Sequence, residues 1–232
     1  MSITTGGRRY LAWLGTESGY QPLRADLGTL TGYTEISRHR RREVVQITLG
    51  TSNQARDALR AALADRGMDY QTVTEIPFEI ELVGSGSARA MFFGCSSLTY
   101  VPDMDTSNVT DMQTMLYGCS SLTHVPDLDT SSVTSMSNMF NGCSSLTHAP
   151  AMDTSSVTSM YRMFLGCSSL TYVPDMDTSS VTDMRNMFQY CLPLTDGGVR
   201  LIGKHPDVRT TAMIANSGLT REPFFDTNGN PI

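Results

Sequence analysis

The apolar positions of the chain follow a 24-residue period over residues 91–191. The segment CSSLTHVPDLDTSSVTSMSNMF, which starts at Cys119, is followed after two residues by CSSLTHAPAMDTSSVTSMYRMF, and further copies flank this pair. The same leucine recurs in all four copies, as Leu98, Leu122, Leu146 and Leu170. A period of this length is typical of a solenoid, in which each repeat is one coil stacked on the last.

Each coil combines two patterns, which predict a strand and a short helix. The Leu-Thr-Tyr/His-Val stretch favours a short strand, and a turn follows at Pro and Asp-Thr-Ser. Apolar side chains then recur at i, i+3, i+6 and i+7, which fits one face of a helix that ends at Gly118; in the first copy they are Val109, Met112, Met115 and Leu116. The Val-Thr-x-Met portion also fits a second strand. The predicted fold is therefore an α/β solenoid of about four 24-residue coils.

The flanks predict a small α/β module before the solenoid and a cap behind it. EVVQITL, DYQTVTE and PFEIELV are strand-like, and TSNQARDALRAALADRG predicts a helix capped by Thr51 or Ser52 and closed by Gly67. The apolar stripe of this helix consists of Ala55, Leu59, Ala62 and Leu63. The predicted organisation is a docking or capping module at 1–84, a Gly/Ser hinge at 85–90, the solenoid at 91–191 and a C-terminal cap at 192–232. Leu201, Ile202 and Phe224 are the cap residues expected to cover the last coil.

Charge is distributed unevenly along the chain, whose formal net charge is −6. Residues 1–90 carry 11 Lys/Arg and 10 Asp/Glu, residues 91–190 carry 2 and 9, and residues 191–232 carry 4 and 4. An acidic repeat argues against a nucleic-acid surface, which needs clustered Lys and Arg. The basic run at 38–42 is interpreted as a solvated loop or an inter-subunit contact. No secretory signal or membrane-spanning run is recognised, so we expect no membrane insertion.

Two columns of potential metal ligands accompany the repeat, and we interpret both as structural. The five cysteines, Cys95, Cys119, Cys143, Cys167 and Cys191, keep the 24-residue period. Parallel side chains at coil spacing suit neither a disulfide nor a converging zinc site, so buried free thiols are expected. The aspartates that precede Thr-Ser are expected to form turns or caps and not a calcium site; they are Asp105, Asp129, Asp153 and Asp177. DTNGN at 226–230 likewise predicts a turn, and no cofactor or metal is expected.

The repeat unit G-C-S-S-L-T-x-V-P-x-M-D-T-S-x-V-T-x-M-x-x-M-F closely resembles the BspA-type leucine-rich repeats of bacterial surface proteins. It includes the DTSxVTxMxxMFxGCSSL signature of the mycoplasma-lipoprotein variety, and the resemblance covers residues 91 to about 195. It implies a right-handed solenoid for adhesion or recognition without catalysis, on cell-surface proteins or bacteriophage structural proteins. Many members carry a tryptophan shortly before Asp-Thr-Ser, where this chain has Met104 or Leu128. No resemblance is recognised for residues 1–84.

The sequence favours a binding or structural protein over an enzyme. Its four histidines are scattered at 39, 124, 148 and 205, without a Gly-x-Ser-x-Gly motif, a phosphate-binding glycine loop or zinc spacing. Since no secretory signal is recognised, we expect a bacteriophage virion protein, assembled in the host cytoplasm as a minor tail, receptor-contact or capsid decoration protein. Residues 1–84 would bind other virion proteins, with a homo-oligomer in the virion. The alternative is a bacterial cell-surface adhesin.

The hypothesis for a binding site concerns the position after Leu-Thr, which holds Tyr100, His124, His148 and Tyr172 in successive copies. If these side chains point outward, they form one stripe at the strand spacing of about 4.8 Å. The flanking carboxylates are Asp103, Asp127 and Asp175. Rings beside carboxylates suit a sugar or a tyrosine-anchored protein contact. The predicted partner of the solenoid is therefore a host surface protein or glycan.

Overall fold

The computed structural model describes residues 43–232 in full and, before them, the backbone of four strands at 2–5, 8–11, 14–16 and 19–21. The predicted basic run at 38–42 lies outside the described residues. The one helix of the described part is α1 (Gln54–Ala64). The strands are β1 (Ser2–Thr5), β2 (Arg8–Leu11), β3 (Leu14–Thr16), β4 (Gly19–Gln21), β5 (Val44–Thr48), β6 (Glu79–Val83), β7 (Gly86–Ser87), β8 (Val109–Asp111), β9 (Met176–Asp177), β10 (Leu201–Ile202) and β11 (Phe224–Phe225).

The segment before the repeat is built from short strand pairs and α1. Strands β1 and β2 pair antiparallel, as do β3 and β4, whereas β5 and β6 pair parallel with α1 between them in the sequence. The strands predicted in EVVQITL and PFEIELV are confirmed. The predicted strand in DYQTVTE is wrong, because this stretch consists of turns and bends.

Helix α1 buries the predicted stripe of Ala55, Leu59, Ala62 and Leu63. The predicted side-chain cap from Thr51 or Ser52 is wrong, because the helix begins after Asn53 without a side-chain cap hydrogen bond. The backbone of Thr51 serves instead, since its carbonyl accepts the N–H of Gln54 at 3.3 Å. Gly67 closes the helix as expected, at φ +70° with its N–H bonded to the Ala64 carbonyl.

The fold predicted for the repeat, a right-handed leucine-rich-repeat solenoid of α/β coils, is wrong. Residues 91–191 contain no α-helix, and their only strands are β8 and β9, of three and two residues. The short parallel strands belong to small separate sheets. Where a strand was predicted around Leu-Thr-Tyr/His-Val, there are only bridges between single residues, such as Tyr100 and His124. Turns and loops make up the rest of this segment.

A left-handed residue is the physical reason for the missing helices. Thr114 has φ +54°, and Asn138 and Arg162 have φ +57° and +55° at the equivalent points of the next two copies. A right-handed helix cannot pass through such a conformation. The buried Met112 and Met115 are instead joined by a single turn, in which the Met115 N–H binds the Met112 carbonyl at 3.2 Å. The apolar spacing that predicted a helix is thus produced by turns.

Successive copies of the repeat lie side by side in parallel register. The N–H of Thr134 binds the carbonyl of Thr110 at 3.2 Å, and Thr158 and Thr182 continue the same series at 2.9 Å. Single-residue bridges link Asp111, Ser135, Ser159 and Asp183 in the same order. Backbone N–H and C=O groups of this series, which folding removes from water, are therefore hydrogen-bonded to the neighbouring copy.

One hydrophobic core runs from Ile47 through the repeat to Phe224. Its centre contains the parallel rings of Phe140, Phe164 and Phe188, with centroids 5.2 and 5.7 Å apart. The equivalent residue of the first copy is Leu116, which is also fully buried. The core therefore crosses the predicted boundary at 85–90, where β7 pairs with β8. The domain boundaries themselves stay predictions.

The C-terminal segment continues the parallel pairing beyond the recognisable repeat. Strand β10 pairs with β9 on one side and with β11 on the other. Leu201 and Phe224 are buried, whereas Ile202 is half-buried. The turn predicted at 226–230 is confirmed, because Asp226 Oδ1 accepts the N–H groups of Asn228 and Asn230. Among the described residues, no helix has the length and apolar character that a membrane crossing requires.

Candidate binding site on the repeat

The four residues that follow Leu-Thr form a surface column, which we call the Tyr–His column: Tyr100, His124, His148 and Tyr172. Parallel bridges join Tyr100 to His124 and His148 to Tyr172. His124, His148 and Tyr172 are exposed, Tyr172 to 46%, and Tyr100 is half-buried. The structure therefore brings the predicted residues together on one face.

Threonine hydroxyls hold the backbone beside the Tyr–His column. The Oγ1 of Thr123 donates to the Thr99 carbonyl at 3.2 Å, and the Oγ1 of Thr171 donates to the Thr147 carbonyl at 3.0 Å. The backbone N–H of each donor residue binds the same carbonyl. Two hydrogen bonds to one carbonyl therefore fix His124 and Tyr172 relative to the copy before each of them.

The rings of the column are not equivalent. His148 and Tyr172 have centroids 6.0 Å apart and planes tilted by 48°, so their faces are not stacked on each other. Tyr100 instead donates its hydroxyl hydrogen to Glu75 Oε1 at 2.7 Å. The second half of the column therefore presents the more accessible rings, and Tyr100 is anchored to the segment before the repeat.

The three predicted flanking carboxylates are exposed but differ in their contacts. Asp175 pairs with Arg200, with 3.2 Å between its Oδ2 and Arg200 Nη1, and Asp127 Oδ1 accepts the N–H of Ala151 at 3.4 Å. Asp103 is exposed in the first copy. The contacts with Arg200 and Glu75 were missed because each joins residues 25 positions apart, one more than the repeat. Continuing the 24-residue period from Asp175 leads to Val199, the residue before Arg200.

The second carboxylate column forms turns, as expected. Asp105, Asp129 and Asp153 each accept the N–H of the serine two residues later through Oδ1, at 3.0 to 3.1 Å, and Asp177 does so at 2.9 Å. Hydrogen bonds from those serines lower the pKa of Asp105, Asp129 and Asp153. Among the described residues, no three His, Cys, Asp or Glu side chains converge as metal ligands.

The cysteine column is buried and free, as expected. Four of the thiols donate to the backbone of the preceding copy at 3.0 to 3.1 Å; for example, Cys143 Sγ binds the Leu116 carbonyl. Burial raises the pKa of the Cys143 thiol to about 12. A buried thiol kept protonated in this way is a poor nucleophile. The column therefore belongs to the core and not to a reactive site.

A second group of surface side chains was missed by the sequence analysis. Phe93 and Tyr117, exposed to 41% and 36%, stack with centroids 4.9 Å apart and planes within 10°. Both precede the Gly-Cys pair in successive copies, and this shared position is the signal that would have found them. Each ring covers one face of the other, so the pair presents less ring face to a ligand than two separate rings would.

The arrangement of the Tyr–His column suits non-covalent binding. Tilted rings offer apolar faces, and the neighbouring carboxylates and threonine hydroxyls offer hydrogen-bond acceptors. The backbone beside the column is hydrogen-bonded to adjacent copies through the N–H groups of Thr123, Ala149 and Thr171. Such a surface can bind a ligand without large rearrangement.

Comparisons with known proteins bear on the repeat segment. No curated protein and no solved structure matches the chain. Residues 87–196 match the model of the family described as DUF285, a Mycoplasma protein of unknown function. The match supports the coarser part of the predicted resemblance, namely its mycoplasma-like variety. The segment that carries the Tyr–His column is therefore similar to this Mycoplasma family.

Proposed function

We propose that the protein is a non-enzymatic attachment protein of a bacteriophage virion, which binds a host surface glycan or protein through the Tyr–His column. The observation that carries this proposal is the exposure of three column residues, His124, His148 and Tyr172, in consecutive copies. The methionines, leucines and cysteines of the same copies are buried. The column is thus a place where the repeat can change its surface without changing its core.

The chemistry of the column favours recognition of a ligand with both apolar and hydroxyl surface. Tyrosine supplies a large ring with few rotatable bonds, so little conformational entropy is lost on binding. Asp103 and Asp127 can accept hydrogen bonds from hydroxyl groups or from a protein backbone. A surface fixed by hydrogen bonds between copies also lowers the ordering cost of association.

The proposal is tested by replacing His148 and Tyr172 together with serine. The matched control is Tyr190→Ser, which removes an exposed tyrosine (51% exposed) outside the column. We expect the double variant to lose about thirtyfold in affinity for host cells or their purified envelope glycan, as for loss of a binding hot spot of about 2 kcal/mol. Wild-type affinity in the double variant, with its unfolding transition intact, would refute the role of the column.

A bacterial cell-surface adhesin is the second candidate. The match of residues 87–196 to a family described from Mycoplasma favours it, because Mycoplasma is a cellular bacterium. The same binding face lies on a virion in the first candidate and on a bacterial cell in the second. Immunogold electron microscopy separates them: label on virions supports the first, and label on uninfected cells supports the second.

A further inference from the structure

Three arginines lie near the end of the repeat: Arg185 and Arg209 contact the Asp183 carboxylate, and Arg162 shares the ring of Tyr161 with Arg185. Asp183 is 7% exposed and accepts Arg185 Nε at 2.9 Å and Arg185 Nη2 at 2.7 Å, and Arg209 Nη2 lies 2.8 Å from its Oδ2. The ring of Tyr161 lies 4.8 Å from the guanidinium carbon of Arg162 and 5.2 Å from that of Arg185. One carboxylate and one ring therefore hold three guanidinium groups in a common neighbourhood.

The cluster has an excess of positive charge in an acidic segment. Residues 91–190 contain 2 Lys/Arg and 9 Asp/Glu, and both arginines belong to the cluster. Asp183 is paired with Arg185 and Arg209. Arg162 is exposed and makes no ion pair among the described residues. Three guanidinium groups against one carboxylate leave two positive charges uncompensated.

Several donors of the cluster also remain available. A guanidinium carries five N–H donors in a planar fork. Arg185 uses Nε and Nη2 toward Asp183, and Arg209 uses Nη2. The contact between Arg162 and Tyr161 is a cation–π contact and leaves the in-plane N–H groups of Arg162 free to donate.

The geometry points to a binding site for a doubly charged phosphate group at Arg162, Arg185 and Arg209. A phosphate monoester or inorganic phosphate carries about −1.5 to −2 charges at pH 7, which matches the excess of the cluster. Its several oxygens accept hydrogen bonds from guanidinium forks in bidentate geometry. Asp183 is largely buried and is paired with two arginines, and both features limit the repulsion between its carboxylate and the ligand.

This site is independent of the proposed attachment function. Tyr161 lies about half a repeat before Tyr172 in the sequence, and the Tyr–His column is flanked by aspartates. A phosphate group is therefore favoured at the arginine cluster and disfavoured at the column. Failure of either site leaves the other untouched.

Calorimetric titration of the full chain with inorganic phosphate at constant ionic strength tests the site. We expect saturable binding with one equivalent, which Arg162→Gln weakens about tenfold or more, as for loss of a charge-assisted hydrogen bond. The control Arg221→Gln removes the same charge next to Phe225 and is expected to bind like the wild type. Absence of saturable binding, or equal weakening by both substitutions, would overturn the site.

Two further arms define the ligand and the donor geometry. Methyl phosphate is expected to bind like inorganic phosphate, whereas dimethyl phosphate, with one charge, is expected to bind more weakly; this distinguishes a monoester on a larger molecule from a phosphodiester. Arg162→Lys keeps the charge but removes the planar fork, so only part of the affinity should return. Full recovery with lysine, or a preference for dimethyl phosphate, would overturn the assignment of a bidentate, doubly charged ligand. The fold of each variant is checked by its urea unfolding curve.

Discussion

The left-handed residue of each repeat copy is occupied by different amino acids. Asparagine is tolerated in this conformation because its side chain can hydrogen-bond locally, but a β-branched residue is strained there. Asn138 and Asn186 occupy the position at φ +57° and +60°, whereas Thr114 occupies it at φ +54°. The copies therefore differ in backbone strain although their cores are alike.

Thr114→Asn is expected to stabilise the protein by about 1 kcal/mol, because asparagine relieves this strain. The reverse substitution, Asn138→Thr, should destabilise the protein for two reasons. It introduces the same backbone strain, and it removes the hydrogen bond that Asn138 Oδ1 accepts from Asn141 at 2.9 Å. Urea unfolding measures both. Thr134→Asn, at an exposed threonine without a positive φ, is the control and should leave stability unchanged. Equal gains from both threonine substitutions would show that strain at Thr114 is not the cause.

Burial of the thiols makes stability sensitive to alkaline pH. Burial raises the pKa of Cys95, Cys143 and Cys191 to about 12, above the value of about 8.5 for an exposed thiol. A raised folded-state pKa gives stability that is complete below pH of about 8.5 and lost as the pH rises toward 12. The urea concentration at the midpoint of unfolding should therefore decrease as the pH is raised from 9 to 11.

The burial of the thiols also predicts their reactivity. A disulfide reagent at pH 8 should react slowly with the folded protein, and rapid reaction before unfolding would contradict the assignment of the cysteines to the core.

At the scale of elements, the stacked phenylalanines connect the cores of neighbouring copies. Phe164 lies between Phe140 and Phe188 and is fully buried. Phe164→Ala is expected to cost about 3 to 5 kcal/mol, because it removes a ring and leaves a cavity. Phe164→Leu should cost much less, because Leu116 fills the equivalent position of an earlier copy. The free energy of unfolding in urea measures both, and similar losses for the two variants would rule out the cavity as the cause.

The ion pairs of Asp183 connect the last repeat copy to the C-terminal segment. Hydrogen bonds from Arg185 lower the pKa of Asp183. A lowered folded-state pKa gives stability that is present above the ordinary value of about 3.9 and lost as the pH falls below it. Asp183→Asn should therefore be less stable than the wild type at pH 7, and the difference should shrink toward pH 3. Unfolding curves at both pH values test this, and a difference that stays constant would contradict it.

The sequence allowed prediction of some elements and not of others for physical reasons. Helix α1 was predictable because its apolar stripe extends over three turns without a competing signal. The repeat was mistaken for strand and helix because a turn with a left-handed residue buries Met112 and Met115 at the same spacing as a helix. Asparagine at 138 hints at that conformation, but threonine at 114 does not.

The candidate binding site was likewise predictable only in part. The Tyr–His column was predictable, because equivalent positions of a tandem repeat fall into register whatever the local backbone is. Its contacts with Glu75 and Arg200 were not, since both residues lie outside the recognisable copies. The arginine cluster could not be predicted, because it depends on Arg209. This residue forms a bridge with Asp183 although the two lie 26 positions apart, which departs from the 24-residue period.

At the scale of the whole molecule, the continuous core predicts that the repeat does not fold alone. The buried residues extend from Ile47 to Phe224, so a fragment of residues 91–190 would expose core on both sides. We expect this fragment to aggregate, whereas residues 43–232 stay soluble and unfold cooperatively. Light scattering after size-exclusion chromatography compares the two. A monomeric, cooperatively unfolding fragment would show that the flanks are not needed.

The parallel register between copies has a consequence for inheritance. Thr134, Thr158 and Thr182 each make the same backbone bond to the copy before them, so neighbouring copies meet through nearly identical contacts. A gene that gains or loses one complete unit in frame, as recombination between similar tandem segments allows, recreates those contacts at the new junction. The length of the exposed face can therefore change in a single genetic event, and each added unit brings one more surface position open to selection.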